Sequence, residues 1–205
     1  MAKTIKRCLI LDRSGSMTNM LDDTIGGFNA FIDSQKEVGG TMSLYLFDNE
    51  FEVVYEDQPI ETVAPLTKAT FVPRGSTALH DAIGNVINKL NKSNISPDTL
   101  VKIIIMTDGF ENASTKYTAH HIKDLIEIHT KIGWDFMYIG ANQDSIFEAG
   151  KLGINAEQTL DFNKESINEV MRSVSHALTQ QASGTQVSLR QCSAPVATAY
   201  NTPLA

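Results

Sequence analysis

Cross-linking chemistry is nearly absent from this sequence. Only two cysteines occur, Cys8 and Cys192, far apart along the chain. They form no disulfide framework, and alone they make no cysteine metal site. Long apolar runs are missing as well: no stretch approaches the roughly 18–20 residues needed to cross a bilayer. A basic excess is also lacking. Lys+Arg number 17 against Asp+Glu 24, a formal net charge of -7 over 205 residues. A mildly acidic chain without a long basic run argues against a nucleic-acid backbone as the main partner. The opening Met1-Ala2-Lys3-Thr4 runs straight into a strand-like segment and leaves no room for a secretory signal. The expectation is a cytoplasmic chain with no membrane and no nucleic-acid partner.

What remains is enough for a core. Hydrophobic residues make up 42% and charged residues 20%, which excludes wholesale disorder. The length fits one domain, with or without an appendage. Two periods alternate along it. Strand-length apolar runs occur at Ile5 to Leu11, Met42 to Phe47, Phe51 to Tyr55, Val101 to Thr107 and Trp134 to Ile139, with a weaker one at Gln158 to Phe162. The turn Asp48-Asn49-Glu50 is too short for anything but a hairpin, so the second and third runs pair antiparallel. Ile103, Ile104, Ile105 and Met106 are all apolar, the pattern of a central strand covered on both faces.

Helical spacing fills the intervals. One stripe is Leu21, Ile25, Phe28 and Ile32; a second is Leu79, Ala82, Ile83, Val86, Ile87 and Leu90. A third is Ile122, Leu125, Ile126 and Ile132. The fourth is Ile167, Val170, Met171, Val174 and Leu178, with Asn163 as its cap. A short helix is expected over Ser145 to Leu152, stopped by Gly153. The alternation predicts an α/β, Rossmann-like three-layer sandwich. Its sheet is six-stranded and mostly parallel, with one antiparallel edge strand and right-handed crossovers. Gly26-Gly27 breaks helix propensity in the first helix and is read as close packing of that helix on the sheet. The domain is taken as residues 1–180. Residues 181–205 form a low-charge tail in which Arg190 is the lone charged residue. That tail reads as loose, or as a hook that docks on a partner copy.

Three loops carry candidate chemistry. Asp12-Arg13-Ser14-Gly15-Ser16-Met17 follows the first strand, Gly75-Ser76-Thr77-Ala78-Leu79 precedes a helix, and Thr107-Asp108-Gly109 ends the central strand. In an open parallel sheet the C-terminal strand ends gather into one crevice. Asp12, Ser14, Ser16, Thr77 and Asp108 would then offer only hard oxygen donors, which suit magnesium, manganese or calcium rather than zinc. Three neutral hydroxyls and two carboxylates balance a divalent ion but ligate it sparingly. Such an ion keeps a position that a partner's Asp or Glu completes.

Asp-x-Ser-x-Ser, the later Gly-Ser-Thr loop and the strand-ending Thr-Asp-Gly together resemble the metal-ion-dependent adhesion site of von Willebrand factor A domains. The resemblance runs from about Lys3 to Leu178. It is strongest to small standalone bacterial and phage members, in Asp23-Thr24-Ile25-Gly26-Gly27-Phe28-Asn29-Ala30-Phe31 and Pro73-Arg74-Gly75-Ser76-Thr77-Ala78-Leu79. It implies that Ser14, Ser16 and Thr77 bind the ion through their hydroxyls, and that Asp12 and Asp108 bind it directly or through water.

Other residues carry weaker expectations. Asp48 reads as a hairpin-turn carboxylate. Arg13 and Arg74 read as loop residues that are exposed or steer an acidic partner. Glu111 and Asn112 read as rim contacts or a second shell. His80, His120 and His121 lack ligand spacing for a metal. No Gly-x-Ser-x-Gly elbow, phosphate loop or dinucleotide fingerprint is present. The residue two after Asp12, where phosphatase-like chemistry wants a second acid, is Ser14. The expectation is therefore a metal-dependent protein-binding module and not an enzyme. An assembly unit that oligomerises through the tail is the alternative, and a metal-dependent hydrolase ranks third.

Overall fold

The computed structural model describes residues 4–141 and 144–193. Six strands form one sheet: β1 (Thr4–Asp12), β2 (Thr41–Phe47), β3 (Phe51–Pro59), β4 (Thr99–Thr107), β5 (Asp135–Ala141) and β6 (Thr159–Phe162), in the order β3-β2-β1-β4-β5-β6. All neighbours are parallel except β2 and β3, which form the expected hairpin at one edge. Helices α1 (Leu21–Gln35) and α5 (Ile167–Ala182) cover one face. Helices α2 (Leu79–Lys92), α3 (Ala119–Lys131) and α4 (Ser145–Lys151) cover the other. This is the three-layer α/β sandwich that the alternating periods predict.

Pleating divides each apolar strand between two cores. Ile104 and Met106 of β4 pack toward α1 and α5, whereas Ile103 and Ile105 pack toward α2 and α3. β1 does the same: Leu9 and Leu11 face one core, Cys8 and Ile10 the other. Edge strand β3 is largely exposed, with Glu52, Glu56 and Asp57 along it. Charges of this kind discourage edge-to-edge pairing. Among the described residues, no helix is long and apolar enough to cross a membrane.

Register places the site. Asp12 pairs with Phe47, Leu11 with Met106 and Thr107 with Gly140. The C-terminal ends of β1, β2, β4 and β5 therefore lie along one edge of the sheet. The loops after β1 and β4 and the approach to α2 leave from that edge.

Several local expectations change. Ile132, assigned to the third helical stripe, lies beyond α3 and is 67% exposed. Asn163 does not cap α5 directly. It exchanges bonds with Ser166, which is the N-cap, and so shapes the turn before the helix. The Gly26-Gly27 pair does not pack on the sheet. A Cβ at Gly27 would lie 2.9 Å from Ile167 Cγ2 and 3.3 Å from Met171 Cγ, both on α5. The small residue lets α1 and α5 approach each other.

The chain continues past the expected boundary at 180. After α5 it turns at Gly184 (φ +90°) into α6 (Leu189–Cys192), which opens on a capping box of Ser188 and Gln191. Leu189 is fully buried. Arg190 Nε donates to the carbonyls of Ala156 and Thr159, at the start of edge strand β6. Residues 194–205 of the expected tail lie outside the described residues.

Gly27→Leu should destabilise the chain by about 1–3 kcal/mol through overpacking against α5. Gly26→Ala should be neutral or stabilising by up to about 1 kcal/mol, because its Cβ meets only Asn168 Oδ1, at 3.9 Å. Chemical denaturation of the two variants checks this; equal effects at both positions would contradict the packing assignment.

Candidate metal centre

Asp12 ends β1 with its carboxylate fully buried. Its Oδ1 accepts the Ser14 N–H at 2.6 Å and its Oδ2 accepts the Thr107 hydroxyl at 2.6 Å. The first bond closes the Asx turn that carries the Asp-x-Ser-x-Ser loop. The second ties that loop to the end of β4. Ser14 Oγ and Ser16 Oγ are 2.9 Å apart, and Ser16 Oγ donates to Asp108 Oδ1 at 2.6 Å. Gly109 brings in the third loop: a Cβ there would lie 3.1 Å from Thr77 Oγ1 and 3.6 Å from Ser16 Oγ. All five predicted donors therefore converge. Asp12, Ser14, Thr77 and Asp108 are buried, whereas Ser16 is exposed and opens the cluster to solvent.

Each loop is held by bonds distant in sequence. Gly15 N–H donates to the Gly75 carbonyl at 3.1 Å, and Arg74 N–H to the Arg13 carbonyl at 2.7 Å. Gly75 has φ +68°, and a Cβ there would meet Asn49 Oδ1 at 2.1 Å, so any other residue would be strained here. Asn112 holds Thr77 twice: its Oδ1 accepts the Thr77 N–H, and its own N–H donates to the Thr77 carbonyl. Of the two roles open to Asn112, the positioning one is observed. Glu111 accepts the His80, Ala113 and Ser114 N–H groups, closing the loop onto the start of α2.

Asp48 does more than turn a hairpin. Its Oδ1 accepts the Glu50 N–H, and its Oδ2 accepts both Arg13 Nε (2.8 Å) and Arg74 Nε (2.9 Å). Burial opposes its ionisation, but the bonds from Arg74, Glu50 and Arg13 outweigh it and hold the carboxyl below its ordinary value. Arg13 is buried and also bonds Glu52; Arg74 reaches Glu50. Both arginines are tied into ion pairs; Arg13 is buried, whereas Arg74 stays exposed, as one of its expectations had it. The two guanidinium groups pin the first and second loops to the β2–β3 hairpin. Thr107 and Asp48 take positioning roles that the sequence did not announce. Thr107 stands inside the Thr-Asp-Gly motif, so its signal was present. Nothing local marks Asp48.

Electrostatics test whether the cluster fits a cation. Burial pushes the Asp12 carboxyl up to about 6, opposed by hydrogen bonds from Thr107 and Ser14 and reinforced by Asp108. Burial likewise raises Asp108, against its bond from Ser16. Among the described residues, neither carboxylate has a basic side chain as a hydrogen-bond or ion-pair partner. Keeping Asp12 ionised in this setting costs about 3 kcal/mol. The described residues contain no group of three or more His, Cys, Asp or Glu placed to hold a metal, so hydroxyls must contribute. Two uncompensated carboxylates with three hydroxyls around one small opening fit a hard divalent cation.

The comparisons with known proteins bear on the fold. No family profile matches the chain. A von Willebrand factor type A structure from Catenulispora acidiphila superposes with a TM-score of 0.62 over 85% of this chain and 42% of that one, at 16% identity. This chain has the von Willebrand factor A fold. Proximal thread matrix protein 1 from the mussel byssus, in a form whose metal-ion-dependent adhesion site holds zinc, superposes with a TM-score of 0.60 at 14% identity. That match covers 87% of this chain and 46% of the mussel chain. The manganese-loaded TRAP protein of Plasmodium vivax gives a TM-score of 0.61 at 17% identity, over 82% and 71%. By sequence, an uncharacterized protein of Synechocystis is 28% identical over 104 residues. These residues are 50% of this chain and 24% of that protein. The chain thus spans about a quarter of its sequence relative and less than half of the mussel and Catenulispora chains. Asp12, Ser14, Ser16 and Asp108 lie in the loops that follow β1 and β4, and Thr77 lies just before α2.

The raised value at Asp12 gives a pH dependence with a definite sign. In chelator, the contribution of this group to stability is complete below about pH 4 and is lost as pH rises through about 6. Bound cation should reverse the trend, because it replaces the proton. The rise in Tm on adding magnesium should be large at pH 7–8 and fade below pH 6. Thermal melts with magnesium and with EDTA from pH 5 to 8 check this; a constant difference across that range would contradict it.

Proposed function

We propose that the chain is a metal-dependent protein-binding module with no catalysis of its own. The observation that carries this reading is the convergence of Asp12, Ser14, Ser16, Thr77 and Asp108 without a basic counter-charge. Asp12 and Asp108 supply the charge for the ion, and Ser14, Ser16 and Thr77 supply neutral oxygens. Magnesium, or alternatively manganese or calcium, would provide a Lewis-acidic position open to a carboxylate of a partner protein. Exposed Ser16 marks the side from which that Asp or Glu approaches.

The non-catalytic part of the reading rests on the neighbours of the cluster. Among the described residues, no histidine or lysine hydrogen-bonds any of the five side chains. Glu111, the next acid along, already accepts backbone N–H groups and the Ser114 hydroxyl. A general base poised over the site would need a freer carboxylate or imidazole. The zinc and manganese in the mussel and Plasmodium structures support a divalent cation in a fold of this kind. A setting inside the cell belongs to the same proposal and rests on the sequence expectation.

The test is affinity capture from a lysate of the source organism on immobilised full-length protein. Partners should be retained in magnesium, released by EDTA, and missing from Asp12→Ala and Thr77→Ala columns. Retention indifferent to EDTA and to both substitutions would sink the reading.

A further inference from the structure

A groove of about 290 Å³ opens beside the metal cluster, and Gly109 belongs to both. Leu79, Ala119, Tyr138 and Leu152 line it with Phe110. Leu79, Tyr138 and Leu152 are buried and make an apolar floor, whereas Phe110 stands 58% exposed at the rim. The volume is at the low end for a small-molecule site and suits one large side chain. Helix α4, which borders the groove, also exposes Ile146 (40%) and Phe147 (61%). Three of the large hydrophobics that this chain leaves in water are thus concentrated on the rim and the adjoining helix.

The charged groups that line the groove already have partners. Glu111 is occupied by N–H groups and the Ser114 hydroxyl. Glu148 pairs with Lys151 at 2.7 Å, and Lys151 Nζ also lies 4.4 Å from the centre of the Phe147 ring. Burial lowers the pKa of His80 despite Glu111, which favours its neutral ring. Among the described residues, a charged occupant would find no unpaired counter-ion here. An apolar one would find a buried floor and an aromatic rim, the arrangement that anchors protein partners elsewhere.

We propose that this groove takes a large apolar side chain of the partner, Phe or Leu in type, carried on the residue next to the carboxylate that meets the cation. The inference rests on the metal-dependent reading above and narrows it: the ligand is an acidic–apolar sequence, not an isolated acid. Gly109 fixes the distance between the two contacts, because its backbone forms one wall of each. The apolar contact supplies affinity and selectivity that a single exposed carboxylate–cation contact lacks.

The test uses capped dipeptides in both residue orders, Asp with Phe and Asp with Ala, titrated into the ¹⁵N-labelled full chain with magnesium. Amide shifts of Gly109, Phe110 and Leu152 report occupancy. The Phe peptide in one order should bind about tenfold more tightly than its Ala counterpart. Phe110→Ser should erase that advantage and leave the Ala peptide unchanged. Equal affinity for both peptides, with magnesium dependence intact, overturns the groove assignment and leaves the metal reading standing. Absence of any magnesium-dependent shift overturns the metal reading and the groove assignment with it. A dimer that forms without peptide and dissolves in Phe110→Ser would make a second copy the occupant, which also overturns the proposal.

Discussion

Two carboxylates that no basic side chain pairs with, among the described residues, govern the candidate site. Asp12 and Asp108 are buried at the ends of adjacent strands, close enough for Asp108 to raise the pKa of Asp12. Desolvating a charge without a counter-ion is unfavourable, and a fold optimised only for stability has no reason to keep two such groups together. Hydroxyls of Thr107 and Ser16 and the Ser14 N–H ease the cost without removing it. A bound cation, as proposed above, would supply the charge that this pair of carboxylates calls for.

The loops around these carboxylates are cross-tied by bonds distant in sequence. Asp48 holds Arg13 and Arg74 together on one carboxylate oxygen, and so clamps the first and second loops to the β2–β3 hairpin. Asn112 fixes Thr77 from the side of β4. Asn29 of α1 bonds Leu66 through both its N–H and its carbonyl, anchoring the long segment that leads to Gly75. Arg13 and Arg74 are thereby paired with Asp48, Glu52 and Glu50, and among the described residues Asp12 and Asp108 have no basic partner. Pre-organisation of this kind places the ordering cost in folding rather than in ligand capture.

Much of this was legible in the sequence because it depends on short-range pattern. The unbroken apolar run at Ile103 to Met106 could only be a central strand, and Asp48-Asn49-Glu50 could only be a hairpin turn. That Asp12, Ser14, Ser16, Thr77 and Asp108 would come together was legible because each stands next to the end of a periodic segment. What escaped depends on pairing across the chain. Asp48 looks like any turn carboxylate until β2 is set beside β1 and Arg13 comes within reach, 35 positions away. Gly27 reads as a residue pressed against the sheet, since nothing local shows that α5 will cross α1 at that point. Arg13 reads as exposed because loop arginines usually are. Leu189 and Arg190 looked like tail, yet the first is buried and the second bonds the backbone before β6.

The most direct test of the central claim is manganese binding followed by electron paramagnetic resonance, with the wild type beside Thr77→Val and Asp108→Asn. Thr77→Val conserves shape and removes one hydroxyl; Asp108→Asn conserves shape and removes one charge. The account predicts one manganese ion bound per wild-type chain, with affinity at least tenfold weaker in each variant while the fold remains intact. Wild-type chain that binds no manganese, or stoichiometric binding unchanged in both variants, would contradict it.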